Sequence, residues 1–430
     1  MAPQFSARII LPLLLQALPG SWSAPTGLEA RQAPKVTTYP ANPNIGPGGS
    51  TFLDSPHFRV YGNDGADAQT ALDKLEAAFQ CFVRGPFGFT GTGRSFNDPD
   101  KTGKLTKTNI YAVDSLDSAA GVMHSDATTG MAYVEVVQDY LATSGVTVHE
   151  WGHALHYHQR TWVDQGNTGA WWEMFANWVA DTYSSSDDCA RFREMYSQPT
   201  EASSIDLNKV IGDSFQVIVD GSVDSGNYYQ SWPFLTYISN NPDGIDGLGR
   251  KVLKQMMVQY KEDSNETPLH TLQRVVGQTS VADIVGRYWA RMAYVDIGSK
   301  AAHETFETMR DQLSYENVQG SGDTYQVISN RAPQYMGANI IPLTVEGGNV
   351  EVEVTADGDY SAFLAVSSGS GVTYHKVIGS GSAQVPSGSD VSLIIANIPE
   401  QLIMYDAFNL NAEVSKGLDY SFTLTGAAVA

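Results

Sequence analysis

Cysteine is nearly absent from this 430-residue chain. Only Cys81 and Cys189 occur, so covalent cross-linking can amount to one bridge at most. Basic residues are scarce as well: 26 Lys and Arg stand against 47 Asp and Glu, a net charge of −21, which repels nucleic acid and anionic membranes. No apolar run beyond the N-terminus reaches the length of a membrane span, and no internal repeat is visible. Charged residues make up 17% of the chain and hydrophobic ones 42%, a globular balance that excludes disordered and coiled-coil classes. A chain of this length predicts two domains of unequal size.

The N-terminus carries Arg8, an apolar run from Ile9 to Leu18, and small residues at Ser21 and Ser23. That pattern predicts a secretory signal cleaved after Ser23 (residues 1–23) and hence an extracellular mature protein. Leu28 to Arg31 (LEAR) resembles the basic processing sites of secreted fungal proteins, so residues 24–56 are expected to be a short pro-segment and an extended arm. In an oxidising compartment an even cysteine count favours a Cys81 to Cys189 bridge.

From His57 the pattern becomes regular. A strand-like HFRVYG is followed by a helical period through Leu72, Leu75, Ala78, Phe79 and Phe82, then by strands in KTNIYAV and GMAYVEVV. Helical signals dominate from Gly145 to about Asp311, including a continuous reading of YYQSWPFLTYISN. After Val318 come short β-rich runs separated by Gly, Ser, Asn and Asp, the spacing of an antiparallel β-sandwich. The expected fold class is α+β, with a catalytic domain over 57–317 and a sandwich over 318–430.

Four of the nine histidines lie in TVHEWGHALHYHQ (Thr147 to Gln159). On a helix His149 and His153 share a face and can reach one metal ion, while Glu150 leans toward a water in its coordination sphere. A catalytic zinc needs a third protein ligand and an open position. The metzincin pattern would require a glycine at position 156 and a histidine at 159, but His156 and Gln159 stand there. His156 could line the cleft and His158 turns away from the ligand face, and packing or solvent is the expectation for both.

The segment GAWWEMFANWVAD places Glu173 twenty residues after His153, with Asn177 one turn further on. With HEWGH this resembles the gluzincin, or thermolysin-like, clan of zinc metallopeptidases. The resemblance implies a zincin-like domain in which His149, His153 and Glu173 hold Zn2+ and Asn177, in place of a more familiar aspartate, supports His149. It implies Glu150 as general base and an oxyanion donor from a downstream helix. Tyr228 and Tyr229 are the candidates, Tyr229 slightly preferred, with His270 in reserve.

Together with YYQSWPFLTYI and the β-rich C-terminus, these segments are similar to secreted gluzincin-like proteins of fungi and plant-associated bacteria. The implied activity is hydrolysis of extracellular proteins by a monomer with protein or peptide substrates. A glycoprotein-restricted peptidase, or a non-enzymatic binding protein with a sugar-binding sandwich, are the alternatives. GMAYVEVV is expected to offer a sheet edge to an extended peptide. NDPDKTGK lacks the glycine and distal glutamate spacing of a calcium loop, and Pro268 disfavours use of the Asn265 glycosylation sequon.

Overall fold

The computed structural model describes residues 37–430 except 224, 346 and 347. The signal, cleavage and pro-segment expectations at 1–36 lie outside the described residues. A five-stranded mixed sheet opens the fold: β1 (Phe52–Asp54), β2 (Phe58–Tyr61), β3 (Thr108–Val113), β4 (Gly121–Asp126) and β5 (Met131–Val137), in the order β1-β2-β3-β5-β4. β2, β3 and β5 run parallel, with antiparallel β1 and β4 at the edges.

That order corrects one expectation. β5 (MAYVEVV) is interior, and the edge before the histidine helix is β4. Its sequence, GVMHSD, escapes pattern reading because it is only half-buried along its length and so carries no apolar alternation. Residues 38–51 lie along this sheet, where the Tyr111 hydroxyl donates to the Ile45 carbonyl (2.5 Å) and Asn109 Nδ2 to those of Asn42 and Ile45 (2.9 Å each).

Helices α1 (Ala66–Phe79), α2 (Ser144–Tyr157), α3 (Trp171–Ser185) and α4 (Asp187–Met195) pack around the sheet, and α5 (Leu207–Val210), α6 (Asn227–Gln230), α7 (Pro233–Asn240), α8 (Val252–Gln259), α9 (Pro268–Val276), α10 (Val281–Met292) and α11 (Lys300–Met309) follow. YYQSWPFLTYISN is broken into α6 and α7. Pro233 begins α7, where it has no N–H to give an earlier turn, so the hydrogen-bond ladder of α6 cannot run on through it. The Asp98 carboxylate in NDPDKTGK is engaged by the Thr102 and Gly103 N–H groups and by Arg94.

Two antiparallel five-stranded sheets follow. The inner contains β8 (Ala338–Val345), β10 (Tyr360–Ser368), β11 (Gly371–Val377), β13 (Asp390–Asn397) and β15 (Ala427–Val429); the outer contains β6 (Val318–Ser321), β7 (Thr324–Val327), β9 (Asn349–Ala356), β12 (Ser380–Gln384) and β14 (Tyr420–Thr425). Ile341, Leu364 and Leu393 of the inner sheet share an apolar cluster with Val352 and Phe422 of the outer. The opposite face of the inner sheet, through Ile340, Ala365 and Ile394, joins the main core.

Burial on both faces explains why FLAV and SLIIA read as continuous apolar runs, whereas VEVEV in the outer sheet alternates. α10 lies close enough to β10 that a Cβ on Gly286 would meet the Ser361 side chain at 2.6 Å. Residues 38–430 accordingly form one compact unit. Among the described residues no helix is long and apolar enough to cross a membrane.

A Cys81 to Cys189 bridge joins the turn after α1 to α4, with Cα atoms 5.3 Å apart and a sequence separation of 108. Closing so long a loop removes much unfolded-chain entropy, on the order of 3–5 kcal/mol. Cys81→Ser/Cys189→Ser should therefore unfold at markedly lower denaturant than the oxidised wild type, whereas reductant should leave the double variant's midpoint unchanged. Equilibrium unfolding in urea with and without reductant measures both.

Candidate metal centre

α2 is buried nearly all round, as befits a helix enclosed between sheet and helices. It meets α3 at Gly152, where an added Cβ would lie 3.0 Å from the Ala176 Cα and 3.2 Å from the Val179 Cβ. This close approach sets His149 and His153 opposite Glu173. His153 Nε2 is 3.1 Å from His149 Nε2, and Glu173 Oε2 is 3.3 Å from each. Among the described residues this is the one His/Cys/Asp/Glu group whose ligand atoms converge in this way.

The triangle fits a zinc ion. With bonds of about 2.0–2.1 Å, a tetrahedral ion requires ligand atoms about 3.3 Å apart. His149 Nδ1 lies 2.8 Å from Asn177 Oδ1, which leaves Nε2 for the centre. Glu173 sits in the first turn of α3, where the helix N-terminus favours its charge. Burial alone would raise its pKa, but hydrogen bonds with His149 and His153 hold it down to about 2. His149 titrates above its ordinary value: burial opposes its charge, but Glu173 and Glu150 outweigh that.

Glu150 lies beside the triangle and is itself buried. Burial raises its pKa, against the pull of His153 and His149. Its room comes from Gly121 on edge strand β4, where a Cβ would approach Glu150 Cγ to 2.6 Å. Sequence reading missed Gly121; its only cue was the run of small residues Ser118, Ala119, Ala120 and Gly121. The cleft, of about 610 Å³, is lined by Gly121, Val122 and Met123 of β4, by Trp172 and Tyr229, and by the triangle and Glu150.

The two tyrosines separate in role. Tyr229 lines the cleft and is 41% exposed. Burial, then the nearby Glu173 charge, raises its hydroxyl pKa, so the hydroxyl stays protonated and able to donate. Tyr228 lies behind it, with ring centroids 4.4 Å apart, and packs on Phe408 at 5.7 Å. His270 is occupied in the cap of α9, its Nδ1 2.9 Å from Thr267 Oγ1, and is not among the cleft-lining residues.

His156 does not line the cleft. It is buried among Trp162, Trp172 and Phe175, and burial, then His153, pushes its pKa down to about 3. This is the packing role expected of it, because α3 covers the side of α2 on which His156 projects. His158, also pushed by burial to about 3, accepts from the Ala132 N–H of β5 at 3.4 Å.

Gly152→Val should push α2 from α3, costing about 1–3 kcal/mol of stability and weakening zinc binding by separating the two histidines from Glu173. Urea unfolding and competition with a chromophoric chelator read the two effects; unchanged zinc affinity would show that the helix spacing does not set the triangle.

Among solved structures the chain is similar to the M60 catalytic domain of ZmpC from Clostridium perfringens, determined in complex with the sialyl T antigen. Identity is 12% and the TM-score 0.28, over 80% of this chain and 66% of that one; the chain thus spans slightly less than two thirds of that domain. No curated protein matches. Residues 52–371 match the profile of a family of unknown function, DUF6055, and since that match takes in most of the chain, the protein belongs to the DUF6055 family.

Proposed function

We propose that this protein is a secreted zinc metallopeptidase that hydrolyses peptide bonds in extracellular proteins. The observation that carries this reading is the convergence of His149, His153 and Glu173 at 3.1–3.3 Å with Glu150 beside them in a cleft bordered by a sheet edge. Two imidazoles and one carboxylate make a donor set with a position left open for water or substrate.

Zinc bound there would supply an acidified water and polarise the scissile carbonyl. Glu150, next to that position, accepts the water's proton and returns it to the leaving amine; its raised pKa suits it to both halves of the transfer. Tyr229, which lines the same cleft, donates to the oxyanion of the tetrahedral intermediate. Edge strand β4 offers backbone groups to an extended substrate, which fixes the peptide across the centre. The Cys81 to Cys189 bridge agrees with an extracellular location, as does the apolar run from Ile9 to Leu18. Substrates are proteins or peptides, and the working unit is a monomer.

A peptidase restricted to glycoproteins is the second reading. The sugar-binding face expected on the C-terminal sheets is not favoured, because the solvent side of the outer sheet carries Glu351, Glu353, Thr423 and Thr425 in place of aromatics. Phe408 is the large exposed aromatic of that half among the described residues. It lies against Tyr228, so sugar contact on this reading belongs beside the cleft. A closed structural zinc has no need of a general base, and Glu150 therefore argues against a purely binding protein.

The test is incubation of purified mature protein with a mixed peptide library, read by mass spectrometry. Wild type should cleave, and Glu150→Gln should lose about 10²–10⁴-fold in rate with zinc still bound at one equivalent. A folded, zinc-loaded wild type that cleaves neither the library nor glycosylated substrates would sink the peptidase reading. Tyr229→Phe should lower kcat about 10²-fold with little change in KM, whereas Tyr228→Phe should leave kcat near wild type; steady-state kinetics on one library-derived peptide distinguishes them.

A further inference from the structure

Asn177 occupies a position where an aspartate would hold His149 at least as firmly, and its second contact accounts for the amide. Asn177 Nδ2 donates to the backbone carbonyl of Tyr229 at 2.7 Å, while Oδ1 faces His149 Nδ1 at 2.8 Å. A carbonyl oxygen can only accept, so the amide must present its N–H to Tyr229 and its oxygen to His149. Nδ1 therefore carries the proton, and the bare lone pair of Nε2 points to His153 and Glu173. A carboxylate at this position would satisfy His149 equally but set an anionic oxygen against the Tyr229 carbonyl with no proton between them.

The segment that carries Tyr229 is otherwise tied to itself and to the C-terminal half. Ser225 Oγ donates to the Asp220 carbonyl at 2.7 Å, Ser222 Oγ to the Asp220 carboxylate at 2.6 Å, and the Tyr228 N–H to the Asp220 carbonyl at 3.1 Å. The Gly221 N–H donates to the Ala407 carbonyl at 2.9 Å. Among the described residues, the Asn177 amide makes the only hydrogen bond from α2 or α3 to residues 221–230.

We propose that Asn177 is a positioning residue that couples the metal ligand His149 to Tyr229, so that filling the metal site orders residues 221–230 and sets Tyr229 in the cleft. The coupling rests on the zinc reading above. A metal on Nε2 fixes the His149 ring, the ring fixes the amide through Nδ1, and the amide fixes the Tyr229 backbone. Each link runs in one sense only, because each has one donor and one acceptor. Linkage then requires the converse: an ordered segment must tighten metal binding by the same factor.

Hydrogen exchange on the full chain, with and without zinc, tests this in wild type, Asn177→Asp and Asn177→Ala, with zinc affinity measured by chelator competition. In wild type, zinc should slow amide exchange in residues 221–230. Asn177→Asp should bind zinc within about tenfold of wild type, because its carboxylate still accepts from Nδ1, yet zinc should no longer slow exchange in the segment, and kcat at saturating zinc should fall with KM little changed. Asn177→Ala, losing both contacts, should bind zinc about 10–100-fold more weakly.

Wild-type protection in zinc-loaded Asn177→Asp would overturn the coupling, as would an affinity loss in that variant equal to that of Asn177→Ala. If Asn177→Asp does not fold, the wild type alone decides: zinc that binds without slowing exchange in 221–230 overturns it. Wild type that fails to bind zinc overturns the metal reading itself, an outcome distinguishable from the others by the affinity measurement.

Discussion

The approach of α2 to α3 across Gly152 is the contact on which the site depends. One helix carries two imidazoles and a carboxylate in a single turn, but these become a metal-binding set only when Glu173 is brought to within 3.3 Å of both ring nitrogens. A glycine facing Ala176 lets the two backbones come this close, and the aromatic packing of Trp151, Phe175 and Trp178 with Phe82 and Phe89 holds the pair in register. The rigidity of such packing keeps three polar groups converged in surroundings where each alone would be costly to bury.

The same economy of space appears at Gly121. The absence of a side chain on the edge strand leaves a place for Glu150, so the strand that borders the cleft also shapes the position of the carboxylate. Tyr229 comes to the cleft by a longer route. The stretch before it is bound to the C-terminal half by backbone hydrogen bonds from Ala338 to Ser214, Ile218 to Tyr335 and Gly221 to Ala407, and by the Tyr405 hydroxyl on the Val219 carbonyl. The C-terminal sheets thus act on the cleft as its support. Their solvent face carries Glu and Thr in place of aromatics.

Much of this was legible in the residues. The four-residue spacing of His149 and His153 follows from helical geometry, and the apolar periods of α1 to α3 and of the long C-terminal strands follow from burial on one face or both. Less was legible where burial is partial. β4 has no apolar alternation because it is an edge, and α6 and α7 read as one helix because their apolar positions continue in phase across Pro233. For His156 the sequence left cleft, packing and solvent open, because spacing gives the side of a helix on which a residue projects, but not what covers that side.

The sequence by itself determined the local chemistry: two histidines and a glutamate on one helix, a further glutamate and asparagine one turn apart on a second, and two cysteines free to pair. These follow from covalent order and short-range backbone periodicity. Only the tertiary structure decided which strand borders the cleft, which of two adjacent tyrosines faces it, that Asn177 joins His149 to the Tyr229 backbone, and that the C-terminal sheets belong to the same compact unit. Each of these depends on contacts between residues distant in the chain, whose energies local pattern does not carry.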